Sequence, residues 1–368
     1  MTLSAQQEQA FKAFKAWLND PGRSPYFYLG GYAGTGKTYM AKTFAQEVNN
    51  AVFGAFTGKA ALVMAGKGCE PSSTIHSLIY KPDEDKFGIT HFILNKRDSA
   101  VKDADLVIID EVSMVGEELG RDLLYFGKPV LVLGDPAQLP PVNDGSGFFM
   151  KGEPDFMLTE IHRQARDNPI IQMSMKVREG ERLELGNYGL SRVIPRSKLG
   201  QKTVLDADQV LCGLNKTRRH TNAKIRRLLG HDQDGERFVV GERVVSLKND
   251  SEKGLLNGSL WRVEEVEFSD YEETQMTLSP LDAGMGSNHT IIKTHHSWLE
   301  GKEKELPLAL AKRYQPVDYG YCLSVHKAQG SQWDNVVIID ESFVFKQDRA
   351  RHLYTAITRA AERVTVAV

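Results

Sequence analysis

The sequence predicts an α/β fold with two parallel-sheet domains and a β-rich insert in the second. Short apolar runs are each followed at once by a polar or glycine-rich loop, which is typical of buried parallel strands that present ligands at their carboxyl ends. Stretches with helical character, such as residues 39–48, alternate with these runs. The chain has 368 residues, more than one ordinary hydrophobic core organises, so several domains are expected.

The first domain is predicted over residues 1–165. Four apolar runs in it end at polar or glycine-rich loops, and they cover residues 26–29, 52–56, 106–109 and 130–133. A smaller insert interrupts this series at about residues 80–100.

A second series of the same kind begins near residue 209. It comprises predicted strands at 210–212, 319–323, 336–339 and 364–368, with a helix at 351–362. Glycine-rich turns and alternating segments at 243–247 and 260–266 interrupt it, which favours a small β-barrel-like insert. We therefore predict a second domain at 166–240 and 318–368, with the insert at 241–317.

Composition points to a globular protein of the cytoplasm. Hydrophobic residues make up 41% and charged residues 26% of the chain, and no apolar run of membrane-spanning length occurs. The N-terminal residues are polar and lack the apolar region of a secretion signal. Cys69, Cys212 and Cys322 are far apart and form neither a zinc pattern nor a paired framework, which fits a reducing compartment.

The charge balance does not by itself reveal a partner. The net charge is −2, yet residues 192–227 hold ten Lys or Arg and only two acids, Asp206 and Asp208. Such a local basic surface suits a phosphate backbone as well as it suits plain exposure to water. Both interpretations stay open at this point.

Residues 31–38 form a phosphate-binding loop by pattern, G-x-x-x-x-G-K-[ST]. Gly31, Gly34 and Gly36 allow backbone N–H groups to cradle phosphate oxygens, and the following helix offers its N-terminus to the same anion. Lys37 would reach the β and γ phosphates, while the Thr38 hydroxyl would bind Mg²⁺. The sequence thus predicts ATP and Mg²⁺ as ligands.

An acidic pair follows the strand at 106–109. Asp110 is placed to hold Mg²⁺, and Glu111 to orient and deprotonate an attacking water. Alone, such a pair is often just the beginning of a helix, but downstream of a phosphate loop the catalytic interpretation is favoured.

With these motifs in order, the sequence resembles superfamily 1 helicases of the RecD and Dda branch over nearly its whole length. The matching segments are residues 3–7, 31–38, 57–61, 73–78, 110–114, 134–141, 158–164, 324–331 and 353–360. The inserted segment containing residues 249–258 resembles the β domain of the same branch. The resemblance implies two RecA-like domains, the second carrying an SH3-like β-barrel.

The resemblance also implies roles at the nucleotide. Gln7 would read the adenine, and Gln138 would contact the γ-phosphate and report its presence to the DNA track. Arg163 and Arg359 would be arginine fingers that neutralise charge in phosphoryl transfer. Positions carried over to ATP binding are Gln7, Gly31, Gly34, Thr35, Gly36, Lys37, Thr38, Gln138, Arg163, Gly330 and Arg359.

Eight further positions carry over as DNA contacts. They are Thr57, Lys59, Thr74 and His76 on the first domain and Asn215, Ser324, His326 and Lys327 on the second. Short polar side chains suit a track that grips phosphates without reading sequence. Taken alone, each residue is equally consistent with a surface or half-buried polar position that has no contact with DNA.

Two departures from the family pattern concern specific residues. The branch commonly has Glu where this chain has Gln332, which keeps an acceptor but loses the charge. The insert at 80–100 is short where relatives carry a strand-separating hairpin. Phe87, His91 and Phe92 could provide a stacking wedge, or the segment could be a plain polar loop.

The expected protein is an ATP-driven motor that moves 5′ to 3′ on single-stranded DNA and unwinds duplex at junctions. ATP would lie between the two RecA-like domains, and its binding and hydrolysis would close and open them. We expect a monomer in a bacterial cell or a phage-infected host, with replication or repair proteins as possible partners and no membrane. Replication, recombination and repair all remain open as pathways.

Four alternatives remain. A translocase that strips proteins from DNA would lack the wedge, and an RNA-directed motor would share the fold. A helicase-nuclease would use Asp282, Glu300 and Lys302, which loosely fit a metal-dependent nuclease pattern. A nucleotide switch would need neither two arginine fingers nor a second α/β domain.

Overall fold

The computed structural model describes residues 3–84, 90–140, 147–161, 167–232, 237–250, 252–270, 272–282, 285 and 287–368. It divides into two compact units, residues 1–172 and 173–368. Among the described helices, none combines the length and apolar character needed to cross a membrane.

The first unit is an α/β sandwich whose elements alternate along the chain. Its elements are α1 (Ala5–Asn19), β1 (Tyr26–Gly31), α2 (Lys37–Ala45), β2 (Ala51–Ala55), α3 (Gly58–Gly66), β3 (Ser72–Thr74), α4 (Ile75–Ile79), β4 (Tyr80–Glu84), β5 (Thr90–Leu94), β6 (Leu106–Asp110), α5 (Glu117–Leu124), β7 (Val130–Gly134), β8 (Phe156–Leu158) and the beginning of α6 (Pro169–Arg178). Six strands form one parallel sheet in the order β3-β2-β6-β7-β1-β8. The predicted parallel sheet is confirmed.

Side chains alternate between two cores on the opposite faces of this sheet. In β6, Leu106 and Ile108 pack with Phe14 on one face, whereas Val107 and Ile109 pack with Phe149 on the other. Burying each such side chain contributes about 1.5–3 kcal/mol. Both faces are covered, which explains why these strands are continuous apolar runs rather than alternating ones.

The second unit holds a second α/β sheet. Its elements are the rest of α6, β9 (Gly186–Tyr188), β10 (Ser191–Ile194), α7 (Gln201–Leu205), β11 (Gln209–Cys212), α8 (Asn215–Leu228), β12 (Arg243–Ser246), β13 (Leu260–Ser269), β14 (Glu273–Pro280), β15 (Thr290–His295), α9 (Ser297–Glu300), α10 (Leu308–Ala311), β16 (Val317–Tyr319), β17 (Cys322–Ser324), β18 (Trp333–Ile339), α11 (Arg349–Ile357) and β19 (Ala360–Ala367). The sheet order is β17-β11-β18-β19-β10-β9, parallel except for the β9–β10 pair.

Strands β12 to β16 form a separate antiparallel sheet in the order β15-β14-β13-β12-β16. Its own core includes Trp261, Val263, Met276 and Leu278, all buried. The β character expected for the insert is therefore present, whereas its SH3-like barrel form and the domain boundaries stay predictions.

Two predicted elements were wrong in detail. The single strand expected at 319–323 is two strands that belong to different sheets, because the chain turns at Gly320, where a Cβ would come 2.9 Å from Leu260 Cδ2. The helix expected over 351–362 begins at Arg349 and ends at Ile357, and the chain enters β19 at Ala360.

Buried ion pairs join α8 to the antiparallel sheet. Arg218 of α8 pairs with Asp318 of β16, and both side chains are almost fully buried. Arg226 donates from Nε to Glu242 Oε2 over 2.9 Å, immediately before β12. Removing one member of such a pair would leave an uncompensated charge in the interior, so these pairs fix where α8 meets the sheet.

Candidate functional site

The phosphate loop joins β1 to α2 and places glycine where the backbone requires it. Gly34 and Gly36 have φ of +80° and +84°, in the left-handed region that favours glycine. A Cβ on Gly31 would come 2.7 Å from Thr35 Oγ1. The loop is therefore wound too tightly for side chains at these positions, as a backbone cradle for an anion must be.

Lys37 and Thr38 begin α2 with their side chains at the loop. Lys37 Nζ donates to Gly31 O over 2.6 Å and to Tyr32 O over 3.2 Å. Thr38 Oγ1 donates to Asp110 Oδ2 over 3.4 Å. Since β1 and β6 are parallel strands of one sheet, their carboxyl ends bring the two predicted motifs together.

Asp110 and Glu111 lie where β6 ends. Burial raises the pKa of the Asp110 carboxyl, and the neighbouring Glu111 raises it further, whereas the Lys37 ammonium lowers it. Glu111 has φ +56° and ψ +43°, a left-handed conformation that costs a non-glycine residue about 1–2 kcal/mol. Such strain concentrates at functional sites, where it aims a side chain.

Gln138 follows β7, the strand between β6 and β1. The side chain is 7% exposed, and its Oε1 has no hydrogen-bond partner within the described part of the chain. The backbone N–H of Gln138 donates to Asp135 O over 3.0 Å, which fixes the turn. A buried amide oxygen left without a donor is unfavourable, so this position is prepared to accept a hydrogen bond.

The predicted nucleotide-site residues of the first unit that the structure describes meet at the carboxyl ends of its strands. Lys37, Thr38, Asp110, Glu111 and Gln138 come from three adjacent strands, β1, β7 and β6. Arg163 lies outside the described residues.

Gln7 has a local structural role in addition to its predicted one. Its Oε1 accepts from the Ser4 N–H over 3.1 Å, and Ser4 Oγ accepts from the Gln7 N–H over 3.3 Å. This reciprocal capping box begins α1. Gln7 is 2% exposed, so the cap holds its side chain in one place.

Gln6 is a residue that sequence reasoning missed. Its Oε1 accepts from the backbone N–H groups of Thr159 and Glu160 over 2.9 and 2.8 Å. Its Nε2 donates to Thr159 Oγ1 over 2.9 Å. Gln6 therefore ties α1 to the segment after β8 that leads to Arg163, and no local pattern marks it apart from its neighbour Gln7.

The four predicted DNA contacts of the first unit lie at the N-terminal ends of α3 and α4. Thr57 and Thr74 are helix caps: Thr57 Oγ1 accepts from the Ala60 N–H, and Thr74 Oγ1 from the Ser77 N–H. Lys59 is 7% exposed, whereas the His76 ring is exposed and lies 5.5 Å from the ring of Tyr80.

In the second unit, the predicted DNA contacts follow two paired strands. Asn215 begins α8 after β11, and Ser324 ends β17, with Cys212 and Ser324 in register. The Lys327 N–H donates to Ser324 Oγ over 3.4 Å. Asn215, Ser324, His326 and Lys327 therefore lie at one edge of the sheet.

Arg359 follows α11 and is 6% exposed. Its Nε donates to Thr355 O over 3.2 Å, and its Nη1 donates to Ser331 O over 3.4 Å. Ser331 follows Gly330, whose φ is +74°. The structure thus joins the segment at Gly330 to the segment at Arg359. Gln332, the residue directly before β18, is exposed.

His352 of α11 packs behind His326. Its ring stacks on Phe345 at 4.1 Å with an interplanar angle of 15°, and the two histidine rings lie 6.2 Å apart. His352 is 1% exposed, and neither ring nitrogen has a hydrogen-bond partner among the described residues. Burial, assisted by His326, lowers the pKa of His352 to about 3.

Strands β4 and β5 form an antiparallel hairpin within the insert of the first unit. Phe92 projects from it with 68% of its surface exposed, and His91 beside it is also exposed. Phe87 lies outside the described residues. Most of the Phe92 ring is therefore accessible for stacking on another flat ring.

The nuclease pattern does not assemble. Asp282 Oδ2 accepts from the Leu260 N–H over 2.8 Å, and Glu300 pairs with Arg237 and Lys302, each over 2.9 Å. In the part of the chain that the structure describes, no cluster of His, Cys, Asp or Glu could hold a metal ion.

Comparison with known proteins gives two profile matches. The profile of the AAA domain family matches residues 2–194. The profile of the UvrD-like helicase C-terminal domain matches residues 319–367.

The chain is also similar to a characterised protein and to solved structures. It is 31% identical over 363 residues to the ATP-dependent RecD2 DNA helicase of Deinococcus radiodurans, covering 91% of this chain and 46% of that protein. The Candida albicans Pif1 helicase structure superposes with a TM-score of 0.56 at 18% identity, over 100% of this chain and 94% of that one. Bacteroides Pif1 in complex with ADP-AlF3 and ssDNA gives 0.53 at 18% identity, over 99% and 92%. The chain spans less than half the length of the RecD2 relative it matches.

Proposed function

Because the chain belongs to the RecD/Pif1-like branch of the superfamily 1 helicases, we propose that it is an ATP-dependent DNA helicase. It moves 5′ to 3′ along single-stranded DNA and unwinds duplex at single-strand junctions. The convergence of Lys37, Thr38, Asp110, Glu111 and Gln138 at three adjacent strand ends is the observation that carries this proposal.

The residues at the strand ends fit Mg²⁺ and a triphosphate. Thr38 Oγ1 and the Asp110 carboxylate are the hard oxygen donors that Mg²⁺ prefers, and they already lie within hydrogen-bond distance of each other. The wound phosphate loop fits an anion. When bound, Mg²⁺ would help to neutralise the charge of the phosphates.

Each side chain then has a specific task. Lys37 holds the β and γ phosphates, and Glu111 orients and deprotonates the attacking water. The unpartnered Oε1 of Gln138 accepts from the attacking water, and its Nε2 donates to the γ-phosphate. Arg163 and Arg359 neutralise charge in phosphoryl transfer, and Gln7 contacts the adenine. Gly31, Gly34, Thr35, Gly36 and Gly330 shape the loops around the nucleotide.

We further propose that the polar residues at helix starts and strand ends form the DNA track. Thr57 and Thr74 cap the beginnings of α3 and α4, and the partial positive charge of helix N-termini suits phosphates. Lys59, His76, Asn215, Ser324, His326 and Lys327 complete the set. These hydroxyl, amide and cationic groups suit the sugar-phosphate backbone of single-stranded DNA rather than particular bases.

Movement follows if the nucleotide state changes the strength of two separate grips on the strand. The expected partners are single-stranded DNA, junctions, and proteins of replication or repair. A monomer and a cytoplasmic location stay predictions.

The exposed aromatic hairpin favours unwinding over simple translocation. Phe92 is an exposed ring at a hairpin position where it could stack on a terminal base pair and separate its strands. A translocase that only strips proteins would not need it.

ATP hydrolysis with and without single-stranded DNA tests the proposal, with Lys37→Ala in parallel. We expect strong stimulation by DNA that is lost in Lys37→Ala and kept in Lys42→Ala, which changes an exposed lysine on the same helix. Substrates with 5′ and 3′ single-stranded tails then give polarity. Hydrolysis that ignores DNA but responds to RNA would replace the proposal with an RNA-directed motor.

A further inference from the structure

A groove in the second unit lies along α8, beginning next to Asn215 and reaching Ile339 at the end of β18. It runs between α8 and the segment from Arg196 to α7, and it encloses about 420 Å³, within the range of ligand pockets. Its floor is aliphatic, with Leu199 and Val204 on one wall and Ile225 and Leu228 on the other. Ile225 belongs to the buried core of this unit, so the floor is firm.

The rim of the groove is basic. Lys216, His220 and Lys224 line one side of α8 at four-residue spacing, which places them in a row. Arg196 stands on the opposite rim. Lys216 and Lys224 are exposed and form no salt bridge with any residue that the structure describes. This groove accounts for part of the basic segment at 192–227.

Glu341 is a carboxylate beside the groove whose two oxygens already accept hydrogen bonds. Glu341 Oε2 accepts from the N–H groups of Gly213 and Leu214 over 3.0 and 2.9 Å, and Oε1 accepts from Thr217 Oγ1 over 2.5 Å. Arg196 Nη2 lies 3.4 Å from the same Oε1 and is partly neutralised. Among the residues that the structure describes, no acidic side chain lines the groove, and Lys216 and Lys224 keep its rim positive.

We infer that this groove binds an acidic peptide segment of a partner protein through one bulky apolar side chain. The aliphatic floor receives that side chain, and acidic residues on both sides of it meet Arg196, Lys216 and Lys224. Single-stranded nucleic acid fits less well, because bases bind mainly by stacking on aromatic rings, and among the described residues that line the groove only His220 carries a ring. The inference is independent of the proposed helicase activity.

The probe is a short fluorescein-labelled peptide with a central phenylalanine flanked on each side by glutamates. Its binding to the protein is measured by fluorescence anisotropy at low salt. Two companion peptides replace the phenylalanine with alanine or the glutamates with glutamines. We expect the first peptide to bind and both companions to bind at least about tenfold more weakly.

Two variants locate the site on the protein. Lys224→Glu reverses a rim charge, and Leu228→Gln makes the floor polar. Each should weaken the first peptide about tenfold or more. Arg227→Glu is the matched control, because it makes the same charge change on the same helix outside the groove and should leave the affinity within about twofold. DNA-stimulated ATP hydrolysis should persist in all three.

Absence of binding by the wild-type protein, or equal effects of Lys224→Glu and Arg227→Glu, would overturn the inference. Preferential binding of a labelled oligothymidylate at the groove, lost in Lys224→Glu, would also overturn it in favour of nucleic acid. Thermal unfolding of each variant confirms that the fold is kept.

Discussion

Thr38 Oγ1 donates a hydrogen bond to Asp110 Oδ2 over 3.4 Å, although the two residues are 72 positions apart in the chain. The contact exists because β1 and β6 belong to one parallel sheet and end at the same edge. It places side by side the two oxygen atoms that we propose as Mg²⁺ ligands.

Asp110→Asn should lower DNA-stimulated ATP hydrolysis about 100-fold or more, since a neutral amide replaces the charged ligand proposed for Mg²⁺. Stability to urea should not fall, because burial disfavours the charged carboxylate at this position. Asp105→Asn is the control at the opposite end of β6, where an exposed carboxylate accepts from the Asn50 N–H. Equal loss of activity in both variants would contradict the assignment.

Glu111→Gly should stabilise the protein while it inactivates it. Glycine removes the cost of the left-handed backbone at φ +56°, about 1 kcal/mol, but also removes the proposed base. Glu111→Gln removes the same charge beside Asp110 but keeps the strain, so it should lose activity and be less stable than Glu111→Gly by about 1 kcal/mol. Urea unfolding and ATPase assays on both variants test this, and a Glu111→Gly protein less stable than wild type would refute the strain argument.

Phe92→Ala should reduce unwinding of a tailed duplex several-fold while DNA-stimulated ATP hydrolysis stays within about twofold. The reason is that the ring is 68% exposed on a hairpin away from the phosphate loop in sequence. Asp83→Ala on the partner strand of the hairpin is the control. If unwinding is unchanged in Phe92→Ala, this side chain is not the wedge.

His352 should make the protein sensitive to mild acid. Its folded-state pKa is lowered to about 3, so the unfolded chain binds the proton more readily and stability is lost as pH falls below the unfolded value near 6.5. Between pH 7.5 and 5.5 this one group removes about 1.4 kcal/mol.

Urea unfolding at these two pH values measures the effect. His352→Phe keeps the ring stack with Phe345 and should reduce the pH dependence by about that amount, whereas His289→Phe, at an exposed position, should not. A pH dependence unaltered by His352→Phe would show that the ring is not held neutral.

The strand-end motifs could be predicted from the sequence because their signals are local. An apolar run predicts a buried strand, and the glycine and polar residues that follow it show at which edge of the sheet the strand ends. Lys37, Asp110 and Gln138 could thus be expected from the sequence alone to lie close together. The wrong ending of the helix at 351–362 has the opposite cause, since β19 takes over its last residues through pairing with β18.

Contacts between distant segments could not be predicted in this way. Gln6 hydrogen-bonds to residues more than 150 positions away, and Arg218 pairs with Asp318, 100 positions away in the chain. Nothing in the residues around Thr57 or Thr74 distinguishes a helix cap from a DNA contact, since one hydroxyl can do either. Such roles depend on tertiary structure rather than on the local pattern.

The pairing of β12 with β16 has a consequence for how the antiparallel sheet could have been acquired. The chain leaves the α/β sheet after α8 and returns through β16, and these outgoing and returning strands are neighbours, with Val244 opposite Tyr319. A module whose two ends lie one strand apart can be grafted into a host, enlarged or shortened without rerouting the host's core. Glu242 and Asp318, which pair with α8, lie at the two ends of the module, so a change of length between them would spare its anchors.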